Sequence, residues 1–138
     1  MIVYYENGYD RIDSVDLTID ISESLRLAEE MLGNGSVTVC ETFGIDPAPY
    51  DGLLERVIVE ITSGLVKIQV NARDLIFSGG LEAMSVLGQN FEYFGNVPLD
   101  ERQVKGYHMH IEYYPQHFFL SPDAVPMVVS SRESRLLS

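Results

Sequence analysis

The chain has 138 residues, 46% hydrophobic and 22% charged, a balance that is typical of one globular domain and excludes a disordered chain. Its formal net charge of −12 would repel phosphates, so we expect no direct binding to nucleic acid. No apolar run approaches the ~20 residues that a membrane span needs, and no basic segment followed by an apolar stretch opens the chain. We therefore expect a cytoplasmic protein that does not enter the membrane. The sequence leaves open whether it is a monomer or a homodimer.

The first half of the sequence predicts a strand, a helix and a second strand. Residues 16–21 alternate between polar and apolar side chains, which is the pattern of a half-buried strand. A helix follows, with Ser22 as its N-cap and the glycines of residues 33–35 as its stop signal. The apolar face of this helix is expected to consist of Leu25, Ala28 and Leu32. Residues 36–43 then form the next strand.

Cys40 lies in this second strand and is the single cysteine of the chain. One cysteine excludes an internal disulfide framework and fits a reducing compartment. No histidine or basic residue lies nearby in the sequence to lower its pKa. A buried, unreactive thiol is therefore expected.

The second half of the sequence predicts a hairpin, a second helix and two further strands. Residues 57–61 and 66–70 alternate, and Ser63-Gly64 would turn the chain between them. The remaining elements, in chain order, are a short strand over 74–77, a helix beginning near Leu81, a polar connection over 95–105, and strands over 106–114 and 125–130.

Together these elements predict a single α+β domain over residues 1–130, in which two helices cover one face of a mainly antiparallel sheet. Residues 131–138 are expected to form a flexible tail. Residues 19–25 and 75–81 also resemble each other, since each places a strand before a capped helix. So generic a pattern is compatible both with chance and with internal duplication.

Residues 106–115 contain the most suggestive polar pattern. Because side chains alternate along a strand, His108, His110 and Glu112 share the side opposite the apolar residues. Two histidines spaced in this way can converge on one zinc ion. Glu112 would lie about 13 Å along the strand from His108, so a third ligand would have to come from His117 or Asp123. The alternative is a solvated or partner-binding face without metal.

The sequence contains none of the common catalytic motifs. There is no phosphate-binding glycine loop, no G-x-S-x-G elbow, no C-x-x-C pair and no H-E-x-x-H helix. We therefore expect a protein that binds rather than catalyses, with no cofactor.

The loop that begins at Gly44 is the second candidate surface. Asp46, Tyr50, Asp51 and Glu55 combine acidic side chains with an aromatic residue, and tyrosine is enriched at binding hot spots. Residues 1–60 carry thirteen acidic and three basic side chains, against eight and six in residues 61–138. This asymmetry favours a negative face that steers a basic partner, with solubility as the plainer explanation. Alternatively, Tyr50 folds down onto the domain.

The C-terminal third resembles a known family. Its residues read Tyr107-His108-x-His110-x-Glu112-Tyr113, followed by Leu120-Ser121-Pro122-Asp123-x-Val125-Pro126. This pattern, with the preceding Ser78-Gly79-x-Leu81 helix start, resembles the immunity-protein-32-like group of bacterial polymorphic-toxin immunity proteins. The resemblance covers roughly residues 74–130.

The resemblance implies a non-catalytic protein that binds and neutralises a cognate toxin domain, often a nuclease with a basic cleft. The resemblance does not locate the interface. From the residue pattern, the candidate partner-binding residues are Asp46, Tyr50, Asp51, Glu55, His108, His110 and Glu112. The competing interpretation is a small metal-binding protein or metal-dependent hydrolase, with His108, His110 and His117 as ligands.

Overall fold

The structure is a computed structural model that describes residues 1–135. The strands of this part of the chain are β1 (Ile2–Asn7), β2 (Ile12–Ile19), β3 (Ser36–Val39), β4 (Gly52–Leu54), β5 (Arg56–Ile61), β6 (Lys67–Asn71), β7 (Asp74–Gly79), β8 (His108–Ile111) and β9 (Met127–Ser131). The helices are α1 (Ile21–Leu32), α2 (Leu81–Asn96), α3 (Leu99–Arg102) and α4 (Arg132–Arg135).

The strands form two mixed sheets. Sheet A has the order β4-β1-β2-β9-β8, and sheet B has the order β3-β5-β7-β6. The inner faces of both sheets and the buried faces of α1 and α2 contribute to one hydrophobic core. The α+β class predicted from the sequence is thus confirmed, but the strands divide between two sheets instead of forming one.

The predicted pairing of β5 with β6 is wrong. β7 lies between these two strands, parallel to β5 and antiparallel to β6. The hairpin of this region is formed by β6 and β7, joined by the two residues Ala72 and Arg73, with Ala72 at a φ of 54°. A two-residue turn is the commonest hairpin connection. It places β7, whose Leu75 and Phe77 are fully buried, at the centre of the sheet.

The two sheets are built in the same way from two halves of the chain. β1 and β2 form a hairpin that leads into α1, and β6 and β7 form a hairpin that leads into α2. After α1, the chain adds β3 and β5 to sheet B, and β4 between them returns to sheet A; after α2, it adds β8 and β9 to sheet A. In these additions, β9 joins β2 and β5 joins β7 in parallel. The equivalent helix caps are Asp20 and Gly80. The sequence resemblance between residues 19–25 and 75–81 therefore has a counterpart in the topology. The positions that are equivalent in the structure differ from those that the sequence resemblance pairs.

The two long helices pack closely through small residues. A Cβ atom on Gly88 would lie 3.1 Å from the carbonyl oxygen of Ala28, and one on Gly95 would lie 2.8 Å from the Leu25 side chain. The Ser24 hydroxyl donates a hydrogen bond of 2.6 Å to the Phe91 carbonyl. Larger side chains at these positions would separate the helices.

Helix α1 begins two residues earlier than predicted. Asp20, not Ser22, is the N-cap, and it forms a capping box with Glu23. The buried residues of the helix are Ser24, Leu27, Ala28 and Met31. Leu32, expected on the buried face, is exposed, as is Leu81 at the start of α2.

The C-terminal tail predicted at 131–138 is wrong for its first residues. Ser131 ends β9, residues 132–135 form α4, and Ser131 and Ser134 are buried. Residues 136–138 lie outside the described residues.

The predicted polar connection at 95–105 contains the end of α2 and all of α3. Arg102 in this connection is fully buried. Its guanidinium lies beside the Phe94 ring and pairs with the Glu133 carboxylate at 3.2 Å.

Candidate functional site

The face of sheet A that points away from the core carries a group of polar side chains. One row across the sheet runs from Tyr4 through Asp16 and Val128 to His110. The next row runs through Thr18 and Ser130 to His108. We call this surface the polar face; its members are Tyr4, Asp16, Thr18, Ser130, His108 and His110.

Asp16 is the centre of the polar face. Its carboxylate accepts hydrogen bonds from the hydroxyls of Thr18 (2.9 Å), Ser130 (3.0 Å) and Tyr50 (2.8 Å). Asp16 and Thr18 are both buried, although the alternation of their strand suggested a solvent-facing side. A buried carboxylate requires such donors, because an unsatisfied one would cost several kcal/mol.

The loop between β3 and β4 covers this part of the sheet. Tyr50 lies with its ring 5.1 Å from the ring of Tyr4, centroid to centroid, and with its hydroxyl on Asp16. Of the two orientations expected for Tyr50, the structure shows the folded-down one. The aromatic ring that would otherwise be free for a partner is part of the domain's own packing.

We call residues 41–51 the anchored loop, because contacts at both of its ends hold it to the rest of the domain. At its start, the Glu41 carboxylate pairs with Arg132 and with the amine of Met1. Hydrogen bonding from the Arg132 guanidinium, assisted by the amine, lowers the pKa of Glu41 to about 2. Within the loop, Asp46 accepts a hydrogen bond from the Ala48 amide.

At the far end of the anchored loop, Asp51 joins it to β1. The carboxylate of Asp51 accepts a hydrogen bond of 2.7 Å from the Asn7 amide, and the Asp51 amide donates to the Tyr5 carbonyl. Glu55, the fourth acidic or aromatic candidate of this region, lies beyond β4 and pairs with Arg73 at 3.4 Å. The structure therefore groups Asp46, Tyr50 and Asp51 in one loop and places Glu55 outside it.

Phe43 is the exposed aromatic residue of the anchored loop. Its side chain is fully exposed, at 101% of the reference value. The sequence placed it at the end of a strand, but β3 ends at Val39, so Phe43 is carried into solvent by the loop.

His108 and His110 share one side of β8, as predicted, but this strand covers only His108–Ile111 of the predicted 106–114. Glu112 follows immediately after it, and all three side chains are exposed. Nε2 of His108 lies 3.2 Å from Nε2 of His110, and Nδ1 of His110 lies 3.2 Å from the Glu112 carboxylate. Glu112 therefore touches His110 rather than His108, in agreement with its distance along the strand.

His117 has a different environment. Its Nδ1 accepts the backbone amides of Phe119 and Leu120, and burial lowers its pKa. Within residues 1–135, no set of three or more His, Cys, Asp or Glu side chains is arranged to hold a metal ion. The predicted three-residue metal set is thus not assembled.

A cleft of about 990 Å³ lies beside the turn between β1 and β2. The carboxylates of Asp10, Asp13 and Asp123 line it, together with Arg11 and Tyr113. The cleft is open to solvent and extends the acidic surface of the N-terminal half toward the segment after β8.

Cys40 is buried, as predicted, with 6% of its side chain exposed. Burial raises the pKa of its thiol to about 11. The thiolate is the reactive form of cysteine, so the structure gives Cys40 a structural environment rather than a nucleophilic one.

Comparison of the chain with protein-family models, with curated proteins and with solved structures found no match. Within the described residues, no helix is long and apolar enough to cross a membrane.

Proposed function

We propose that this chain is a non-catalytic, cytoplasmic binding protein that blocks a basic protein partner, as an immunity protein blocks its cognate toxin domain. The observation that carries the proposal is the anchored loop, which holds a fully exposed Phe43 in place on a strongly acidic protein. The resemblance of residues 74–130 to the immunity-protein-32-like group supplies the class of partner.

Phe43 is suited to be the central contact of such an interface. Burying a phenylalanine side chain against a partner contributes about 1.5–3 kcal/mol. Part of the usual cost of ordering a loop is avoided, because the side chains of Glu41 and Tyr50, before and after Phe43 in the chain, are already bound to the rest of the domain.

The charge around the anchored loop favours a basic partner. Asp46 and Asp51 are exposed on the loop. The hydrogen bond between Asp51 and Asn7 brings the loop beside the turn between β1 and β2, where Asp10 and Asp13 are exposed. Exposed carboxylates of this kind accelerate association with a basic protein, and salt weakens the effect.

The proposal requires a toxin domain encoded beside this gene, and the test uses that domain. Surface-immobilised toxin domain is titrated with the purified chain, and the association rate is followed from about 50 to 500 mM salt; the Debye length falls severalfold over this range. We expect the rate to fall by at least tenfold. Tight binding with an association rate independent of salt would contradict the steering mechanism, and no binding would contradict the proposed function.

Matched variants test the location of the interface. Phe43→Ala is expected to weaken binding by at least tenfold, whereas Tyr93→Ala, which removes an aromatic side chain exposed on α2, is expected to leave it unchanged. Asp46→Asn and Asp51→Asn keep the loop's hydrogen-bond acceptors and remove only charge, so they should slow association more than dissociation. Equal affinities for Phe43→Ala and wild type would place the interface elsewhere.

A further inference from the structure

The two histidines of β8 have their Nδ1 atoms occupied by hydrogen-bond acceptors. Nδ1 of His108 contacts the Gly106 carbonyl, and Nδ1 of His110 contacts the Glu112 carboxylate. A carbonyl and an ionised carboxylate can only accept, so both Nδ1 atoms must carry the hydrogen. In a neutral imidazole this leaves Nε2 as an unprotonated acceptor with its lone pair free.

The two free Nε2 atoms face each other. They are 3.2 Å apart, whereas the ring centroids are 4.9 Å apart, so the edges that carry Nε2 are turned inward. Two acceptor lone pairs at this distance repel each other unless a positively charged group lies between them. A cation held between the two Nε2 atoms removes this repulsion and fits the inward-facing edges of the rings.

The geometry of the pair suits a divalent transition metal. With Zn–N bonds of about 2.0–2.1 Å, two imidazole ligands of a tetrahedral zinc ion have nitrogens about 3.3 Å apart. Metal-bound histidines commonly donate their other ring N–H to a carboxylate or a backbone carbonyl, which fixes the ring and raises its basicity. Glu112 and Gly106 stand in these two positions.

We propose that His108 and His110 bind one zinc-like divalent cation through their Nε2 atoms, with Glu112 as a positioning residue. Both histidines are exposed on the edge strand of sheet A. The remaining coordination positions of the metal therefore face solvent and would be filled by water. This site is independent of the proposed partner interface, which lies on the anchored loop.

Isothermal titration with ZnCl2 tests the proposal on protein that has been stripped with EDTA. Millimolar Mg²⁺ in the buffer occupies carboxylate sites, because Mg²⁺ prefers oxygen ligands. Wild type is expected to bind one equivalent of zinc. His108→Ala and His110→Ala should each weaken binding by at least tenfold, and Glu112→Gln by about tenfold, as is usual for the loss of an outer hydrogen-bond partner.

His117→Asn is the matched control. It removes the third imidazole of the chain while keeping an acceptor for the amides of Phe119 and Leu120, and it should bind zinc as wild type does. The proposal is overturned if wild type binds no stoichiometric zinc, or if His117→Asn loses as much affinity as His110→Ala. It is also overturned if His110→Ala leaves zinc binding intact and instead weakens the toxin complex, because the pair would then serve a partner's basic side chain.

Discussion

Substitution of Tyr50 by Phe tests whether the anchored loop is held by its contact with Asp16. The change removes only the hydroxyl that donates to Asp16 at 2.8 Å and keeps the ring that packs on Tyr4. Thr18 and Ser130 continue to donate to the same carboxylate. The measured effect therefore reports the loss of the Tyr50 hydroxyl, including its hydrogen bond to Asp16.

A hydrogen bond to a charged group contributes about 1.5–3 kcal/mol, and leaving a buried acceptor short of one donor costs a similar amount. With a urea m-value of about 2 kcal/mol/M for a domain of this size, a loss of about 2 kcal/mol lowers the unfolding midpoint by about 1 M. Total stabilities of about 5–15 kcal/mol make such a shift easy to measure.

The assay is equilibrium urea unfolding followed by far-UV circular dichroism, since the chain contains no tryptophan. Tyr9→Phe is the control, because Tyr9 is fully exposed, at 105%, and its loss should change stability by less than about 0.5 kcal/mol. If Tyr50→Phe also changes stability by less than about 0.5 kcal/mol, the reasoning that Tyr50 fastens the loop is refuted. A double-mutant cycle with Asp16→Asn should then show no coupling, whereas the structure predicts about 0.5–3 kcal/mol.

Three further predictions concern the helix pair, the thiol and His117. Gly88→Val should destabilise the fold by about 1–3 kcal/mol in urea unfolding, because the valine side chain would press against Ala28. The control Gln89→Ala, on the exposed side of α2, should be nearly neutral. Equal effects of the two substitutions would contradict the close helix contact. Since burial raises the pKa of Cys40 from 9.0 to about 11, native protein at pH 8 should react with a disulfide reagent at least about 100-fold more slowly than urea-unfolded protein, and similar rates would show an accessible thiol. The pKa of His117 is lowered from 6.5 by burial, so the unfolded state binds the proton more readily, and stability should be full above pH 6.5 and fall as the pH drops through the folded-state pKa. His117→Asn should flatten this dependence between pH 7 and 5, and an unchanged pH profile would exclude the histidine as its cause.

Much of the local structure could be predicted from the sequence. The helix that begins at Leu81 and the shared side of His108 and His110 follow from periodicities of 3.6 and 2, which depend on neighbouring residues alone. The prediction of these features required no knowledge of the tertiary contacts. The alternation of β2 predicted which side chains share a face, but not that Asp16 and Thr18 are buried. Cys40 is buried as predicted, but it follows the last residue of β3, in which Val37 and Val39 are exposed, so its burial does not result from the strand pattern.

The pairing of strands could not be predicted in the same way. Residues 57–61 and 66–70 alternate whether or not they pair, so the pattern is equally compatible with a hairpin and with a strand inserted between them. In the structure, β7 lies between β5 and β6 and its Leu75 and Phe77 are fully buried. This burial is a property of the whole sheet.

The candidate site shows the same division between the sequence and the tertiary structure. The sequence by itself determined the acidity of the N-terminal half, the loop with Asp46 and Asp51, and the spacing of the two histidines. Only the tertiary structure showed that Tyr50 turns inward onto Asp16 and leaves Phe43 as the exposed aromatic residue. Asp16 and Tyr50 are separated by 34 residues in the chain, and local alternation shows which side chains share a face but not what covers that face.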